Sequence, residues 1–261
     1  MSVPVAEPSS PLLDAYRRHP GLGGVDELVA GDEVQPHAHQ LAETIDTLGL
    51  PQLLTARAEA ARQVADEGIS YGDRRRPWRV DPLPLPLDAS EWTSVERGLE
   101  QRARLLDAVL IDLYGPRTLL RQGVLPAAAI LSHPGFARAA DGTIHPGQPQ
   151  LLTTATDLGR GPDGSWQVIS DRLGTPGGAG YAMATRRIVS KVMAGLHRAS
   201  DLARLRGFFV SMTGALLDAA GAAEVPRVVL LSPGADSRSG YDQGFLAALL
   251  GFPLAEADDL V

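Results

Sequence analysis

The sequence predicts a mixed α/β (α+β) fold: a helical N-terminal part, a small antiparallel hairpin sheet, and a parallel βαβ segment at the C-terminus. Three observations predict it. From Asp88 to Leu113, the apolar residues Trp92, Val95, Leu99, Leu106, Val109 and Leu113 recur on one face at helical spacing. LLTTATDLGR (151–160) and SWQVISDRL (165–173) are β-prone runs flanking Gly161-Pro162-Asp163-Gly164, which is a hairpin signal. PRVVLLSPG (226–234), a short helix over Asp242–Leu250 and the start of PLAEADDLV (253–261) give strand, helix and strand in about 35 residues, the pattern of a βαβ unit.

Each element follows from local signals. Residues 1–36 are rich in Pro, Gly and acid and read as an arm with short helical pieces such as Leu12–Arg18. Pro36 to about Gly68 reads as helix, broken near Gly49-Leu50-Pro51. YGDRRRPWRVDPLPLPLD (71–88) carries Pro at 77, 82, 84 and 86, which forbids helix and central strand. It is expected to be an extended strap pinned by Trp78 and its Leu residues. Asp88, with Glu91 three residues on, resembles a capping box for the helix that Gly115-Pro116 stops. Arg102 falls inside the apolar stripe of that helix, with Gln101 and Asp112 on its flank. A covered Arg must be paired or meet an anionic ligand, so it is expected to face the hairpin or a polar cleft.

After a short helix ending at Gly123 and a Pro/Gly-rich loop, the hairpin brings Asp157 and Arg160 onto one small sheet with Asp171 and Arg172. GTPGGAGY (174–181) follows, then a basic segment with Arg186, Arg187, Lys191 and Arg198. A helix is expected from about Ser200 to Gly221, with Leu202, Leu205, Phe209, Met212 and Leu216 on one face. The expected organisation is an N-terminal arm and helices over 1–70. A second unit over 71–261 holds helices at 88–123, the hairpin and Gly loop at 151–181, and the βαβ segment at 226–261.

Composition excludes several function classes. The chain has 261 residues, 44% apolar and 21% charged, and a net charge of −7. No stretch of about 18 uncharged apolar residues appears, so a membrane-spanning helix is not expected. MSVPVAEPSS lacks the pattern of a secretory signal, and a cytoplasmic location is expected. With no Cys, there is no thiol nucleophile or disulfide scaffold. An acidic chain without a basic stripe argues against nucleic-acid binding, and Arg74-Arg75-Arg76 reads as a solvated turn. His37, His39, His133 and His145 show no HxxxH or HExxH spacing, so no zinc site is expected. A GxSxG elbow is absent, and Ser232-Pro233-Gly234 reads as a turn.

Three groups carry candidate chemistry. Gly-rich GTPGGAGY, ahead of Arg186, Arg187 and Lys191, is either a backbone cradle for phosphate or a flexible loop; it fits neither the Walker pattern nor GxGxxG. Asp157, Arg160, Asp171 and Arg172 are acid–base pairs at strand ends, and Arg suits polyphosphate because its planar fork binds two oxygens. Tyr241, Asp242 and Gln243 open the late helix, where Asp242 is either a ligand group or a first-turn acid favoured by the helix dipole.

In order along the chain, WRVDPLPL (78–85), EW and GLEQRARLLDAVLIDLYGP (98–116), DLGRGPDGSWQVISDR (157–172), PGGAGYAMATR (176–186), VVLLSPG (228–234) and LAEADDLV (254–261) resemble the circularly permuted ATP-grasp type 2 family, related in fold to glutathionylspermidine synthase. The resemblance implies a permuted ATP-grasp fold that uses ATP and Mg²⁺ to activate a carboxylate as an acylphosphate, which an amine attacks. The implied substrates are small-molecule or peptide carboxylates and amines. It implies roles for Arg172, Arg186 and the Gly loop at phosphate or substrate carboxylate, with Asp157 and Asp171 orienting them. Arg160, Gly178, Gly180 and Tyr181 match the nucleotide-side motifs, and Arg102 and Asp112 match the helix motif. The metal ligands are not implied by any residue here. Gly177, Ala184-Thr185 and Asp242-Gln243 depart from the family's usual Ser, Glu-Asn and Glu-His. The family continues past the LAEADDLV-like strand, so a C-terminal half of the same protein is an expected partner.

A degenerate, non-catalytic binding module is the alternative, and a glycosyl-transfer enzyme is a weaker third reading that rests on the βαβ tail alone. The ligase reading expects Arg160, Arg172 and Arg186 to share one hollow.

Overall fold

The structure is a computed structural model, and it describes residues 11–19, 24–72, 75–144, 147–221 and 226–260. His145 and Arg74, noted in the sequence, lie outside the described residues. Helix α1 (Pro11–Arg18) precedes a two-residue antiparallel pair, β1 (Val29–Ala30) and β2 (Glu33–Val34). A 3-10 turn over Pro36–Ala38 leads into α2 (His39–Asp66), which kinks at Gly49, where φ is 66°. Only Gly adopts that conformation cheaply, and Pro51 then restarts the helix because its missing N–H falls in a first turn.

The strap begins as a minimal pair, β3 (Ser70–Tyr71) with β4 (Arg76–Pro77), and is otherwise irregular to Asp88. Trp78 pins it as expected: its indole N–H donates to Thr185 Oγ1 at 3.0 Å and its ring stacks on Tyr181 at 4.3 Å. α3 (Ala89–Leu113) starts at Asp88, whose carboxylate accepts from the Glu91 amide at 2.9 Å. The Glu91 carboxylate does not return to complete a capping box; it turns to Arg160. The apolar stripe of α3 is only half covered, and no α3 residue is buried. Short helices α4 (Thr118–Arg121) and α5 (Ala127–Leu131) follow, the second within the segment read as loop. Asp112 accepts the Thr118 and Leu119 amides at 2.8 and 2.9 Å, which caps α4.

The hairpin forms as expected from β5 (Ala155–Arg160) and β6 (Trp166–Arg172), antiparallel, with Gly164 at φ 80° in the turn. The basic segment is helical: α6 (Ala179–Val192) and α7 (Ala194–Ala199). Tyr181, Ala184 and Ile188 bury one face of α6. The next helix, α8 (Arg206–Ala219), starts later than the expected Ser200, and Leu202 stays 44% exposed because it precedes the helix. β7 (Leu230–Leu231), α9 (Gly240–Leu250) and β8 (Leu254–Ala255) make the βαβ unit, with Leu230 paired in parallel to Leu254. β7 is exposed at Leu231 (58%), and among the described residues it pairs with β8 alone.

The main core joins α2, α6, α9 and the strap: Ala60, Val64, Ile69, Tyr181, Ala184 and Ile188, with Trp78, Tyr241 and Phe245 packed against them. A second cluster ties Leu41, Ile45 and Ala56 of α2 to Met193 and Leu196 beside α7. The hairpin and α3 sit outside both clusters, and ion pairs join them to each other. Among the described residues no helix is long and apolar enough to cross a membrane.

Candidate functional site

Two carboxylate–guanidinium clamps fasten the hairpin along α3. At its open end, Arg102 Nε lies 3.0 Å from both oxygens of Asp171, and Nη2 lies 2.6 Å from Oδ2. Thr156 Oγ1 donates to the same carboxylate at 3.0 Å. Arg102 therefore faces the hairpin, and its place in the apolar stripe has a cause. At the turn end, Arg160 donates to Glu27 at 2.6 and 3.0 Å, to both oxygens of Glu91, and to the Gly164 carbonyl at 2.9 Å. Its guanidinium lies over the Trp166 ring, 4.1 Å from the centroid. The spacing matches: eleven helical residues from Glu91 to Arg102 span about 16 Å, and the four strand steps from Arg160 to Thr156 span about 14 Å. Between the clamps lies an open, largely apolar groove of about 820 Å³ lined by Val95, Leu99, Leu105, Leu158, Trp166 and Val168.

The clamps set the ionisation of their members. Arg102 holds the Asp171 carboxyl below the usual range, and Arg160 does the same to Glu91. Arg160 is in turn raised, by Glu91 first and Glu27 second. Arg172 and Asp157 pair at 2.8 Å on the exposed side of the ribbon, and Ser170, then Arg172, holds Asp157 low.

The Gly loop is closed by a carboxylate of the protein itself. Asp242, 3% exposed, accepts the Gly178 amide at 2.7 Å and the Tyr181 amide at 3.0 Å. These amides are the free donors of the α6 N-terminus, with Gly178 at φ 115°. Gly180 is required by this contact: a Cβ there would stand 2.7 Å from both the Asp242 carbonyl and Oδ1. Gly177 lies close as well, its Cβ position 3.2 Å from Asp242 Oδ2. Tyr181 belongs to the core, its hydroxyl donating to the Ser70 carbonyl at 2.6 Å, and burial pushes its phenol up to about 12. Gly178, Gly180 and Tyr181, expected at a nucleotide, thus seat Asp242. Thr185, one of the departures, accepts the Trp78 indole, and Ser232 donates to Gln243 Oε1 of α9 at 2.7 Å while accepting the Gly234 amide of its own turn at 3.1 Å.

The expectation of one hollow for three guanidinium groups is not met. Arg172 pairs across from Ala155 and Arg160 across from Trp166, at opposite ends of the ribbon. Arg186 borders a different hollow, with Met183, His197, Arg204 and Arg206, and donates to the Ala203 carbonyl at 2.7 Å. Arg160 and Arg172 are separated by the length of the ribbon, and Arg186 stands off it on α6. Glu27, Glu91 and Asp242 are the partners that the sequence reading missed. Glu27 reaches Arg160 across 133 residues and Asp242 reaches the loop across more than 60, distances at which no local pattern signals a pair.

A family model described as circularly permuted ATP-grasp type 2 matches residues 84–261. The chain belongs to the circularly permuted ATP-grasp type 2 family. This ATP-grasp chain is 43% identical to an uncharacterized protein of Mycobacterium tuberculosis, over 94% of its own length and 29% of the relative's. A second uncharacterized M. tuberculosis protein is 33% identical over 79% of this chain and 38% of the relative. A Frankia casuarinae protein named "Putative glutamate--cysteine ligase 2-2" is 33% identical over 91% of this chain and 28% of the relative. The chain spans less than a third of the length of the first of these relatives.

The family implies Mg²⁺ with ATP. Among the described residues no group of three or more His, Asp or Glu is placed to hold a metal ion. The loop amides that a phosphate would need are engaged by Asp242. The Gly loop and ribbon therefore do not fit Mg-ATP.

Proposed function

We propose that this chain serves an ATP-dependent carboxylate–amine ligase, of the peptide-like bond-forming kind. In that reaction class ATP is a co-substrate: its terminal phosphoryl passes to a carboxylate oxygen, ADP leaves, and an amine displaces phosphate from the acylphosphate to form the amide. The family match over 84–261 carries the reading, and the printed name of the F. casuarinae relative supports glutamate and an amine as the first substrates to try.

Within it, Arg172 and Arg186, which stand at separate places, are alternative catalytic-side candidates for a substrate carboxylate, because each donates to a single acceptor among the described residues and keeps guanidinium N–H groups available. Asp157 orients Arg172, while Asp171 orients α3 against the ribbon through Arg102. Arg160 positions the hairpin through Glu27 and Glu91. Metal ligation then falls outside the described residues, in a segment such as the longer relatives carry, and the protein works in the cytoplasm.

The test is to incubate the protein with Mg-ATP, glutamate labelled with ¹⁸O in its carboxylates, and a panel of amines. The acylphosphate route delivers one ¹⁸O to the released phosphate. ATP consumption without label transfer refutes the acylphosphate. Absence of ATP consumption across the panel favours the second reading, a non-catalytic binding module, which the Asp242-filled loop supports.

A further inference from the structure

We infer that the hollow at the junction of α6, α7 and α8 binds a phosphoryl group of a small-molecule ligand. It has a volume of about 410 Å³, within the range of small-ligand sites. Arg186, His197, Ser200, Arg204 and Arg206 border it, over an apolar patch that includes Met183. Arg186 is half-buried and gives one N–H to the Ala203 carbonyl. The side chains of His197, Arg204 and Arg206 hold no hydrogen bond or ion pair among the described residues. The lining therefore offers donors with almost no acceptors, and Asp201 is its only acid.

The local charge opposes that of the whole molecule. Over 183–206 the cations are Arg186, Arg187, Lys191, Arg198, Arg204 and Arg206, against Asp201 alone, in a chain of net charge −7. Arg187 and Lys191 pair with Glu67, and among the described residues no carboxylate forms an ion pair with Arg186, Arg204 or Arg206. Solvated surface Arg side chains would explain Arg204 and Arg206 singly. They do not explain why these converge on a concave space with a half-buried Arg and a His.

The start of α8 adds a second, independent attraction. Leu205 and Arg206 border the hollow, and the N-cap residue Leu205 supplies no side-chain acceptor to the first amides of this 14-residue helix. Uncapped amides and the positive end of the helix dipole favour an anion there. Arg forks add bidentate recognition of a tetrahedral oxyanion, which a single carboxylate satisfies less fully. The inference stands on the cavity and does not depend on the ligase reading.

Inorganic pyrophosphate is the probe, titrated into the protein by calorimetry at low ionic strength. Saturable binding with one site is expected, and the double variant Arg204→Ser/Arg206→Ser weakens it at least about tenfold. Both residues are exposed, so the variant keeps its fold. Arg104→Ser, on the far exposed side of α3, leaves binding unchanged. Pyrophosphate also moves one His ring signal in a ¹H–¹³C spectrum, and that signal is missing from His197→Gln. Displacement of pyrophosphate by ATP supports the site and assigns it to a nucleotide's phosphates. Binding that ATP does not displace supports the site and assigns it to another phosphorylated compound. No binding at up to about 10 mM, the weak end for one small anion, overturns the inference, as does equal binding by the double variant.

Discussion

Removing the Asp242 carboxylate tests whether the Gly loop is a structural seat. Asp242→Ala leaves the Gly178 and Tyr181 amides without their acceptor in a site where Asp242 is 3% exposed. Each buried, unsatisfied donor costs about 1–3 kcal/mol, and loss of a helix N-cap about 0.5–2 kcal/mol by itself. Water entering the space left by the carboxylate recovers part of this, so a net loss of about 2–4 kcal/mol is expected. For a domain of this size that is a fall in Tm of about 5–15 °C. Asp242→Asn keeps one acceptor oxygen and should lose about half as much. The assay is urea unfolding followed by circular dichroism, with Tm by calorimetry. A loss below about 0.5 kcal/mol for Asp242→Ala, the scale of an indifferent surface change, would refute the claim that this carboxylate closes the loop.

Other perturbations probe the same architecture. Gly180→Ala places a methyl 2.7 Å from the Asp242 carbonyl and Oδ1, and the overpacking should cost about 1–3 kcal/mol in a urea titration. Arg160→Gln removes the two guanidinium donors from Glu27, whose side chain is 9% exposed, and leaves it His37 at 3.8 Å; it should cost about 2–4 kcal/mol, with increased proteolysis at the hairpin turn. Asp171 and Glu91 have carboxyls depressed in the folded state, by Arg102 and Arg160 respectively. Their contribution is therefore full above the unfolded values near pH 4 and is lost as pH falls through the lower folded values. Urea midpoints from pH 7 to pH 3 should decline below about pH 4.5, and Arg102→Met should flatten that decline.

How much of this was legible from the sequence follows from the range of each signal. The hairpin, the Asp88 cap and the Gly49 break are written within a few residues, and all three are present. Arg102 was legible as a misfit in an apolar stripe, though only the fold names Asp171 as its partner. α6 was readable in principle: Tyr181, Ala184 and Ile188 recur at helical spacing, but the Gly run before them and the charges at Arg186, Arg187 and Lys191 obscured it. The Gly loop misled because the same exposed amides serve a phosphate or a carboxylate equally well. Which anion sits there depends on Asp242, more than 60 residues away. The hollow at α8 escaped notice because Arg204 and Arg206 look like ordinary solvated charges until His197 and Arg186 are placed beside them.

An added oxyanion should go to the α6–α8 hollow, because a buried carboxylate already fills the Gly loop. A ¹H–¹⁵N spectrum recorded during a pyrophosphate titration measures this residue by residue. The amides of Arg204, Arg206 and Gly207 should shift with saturation, while those of Gly178 and Tyr181 stay where they are. Shifts at Gly178 and Tyr181 with none at the start of α8 would contradict it.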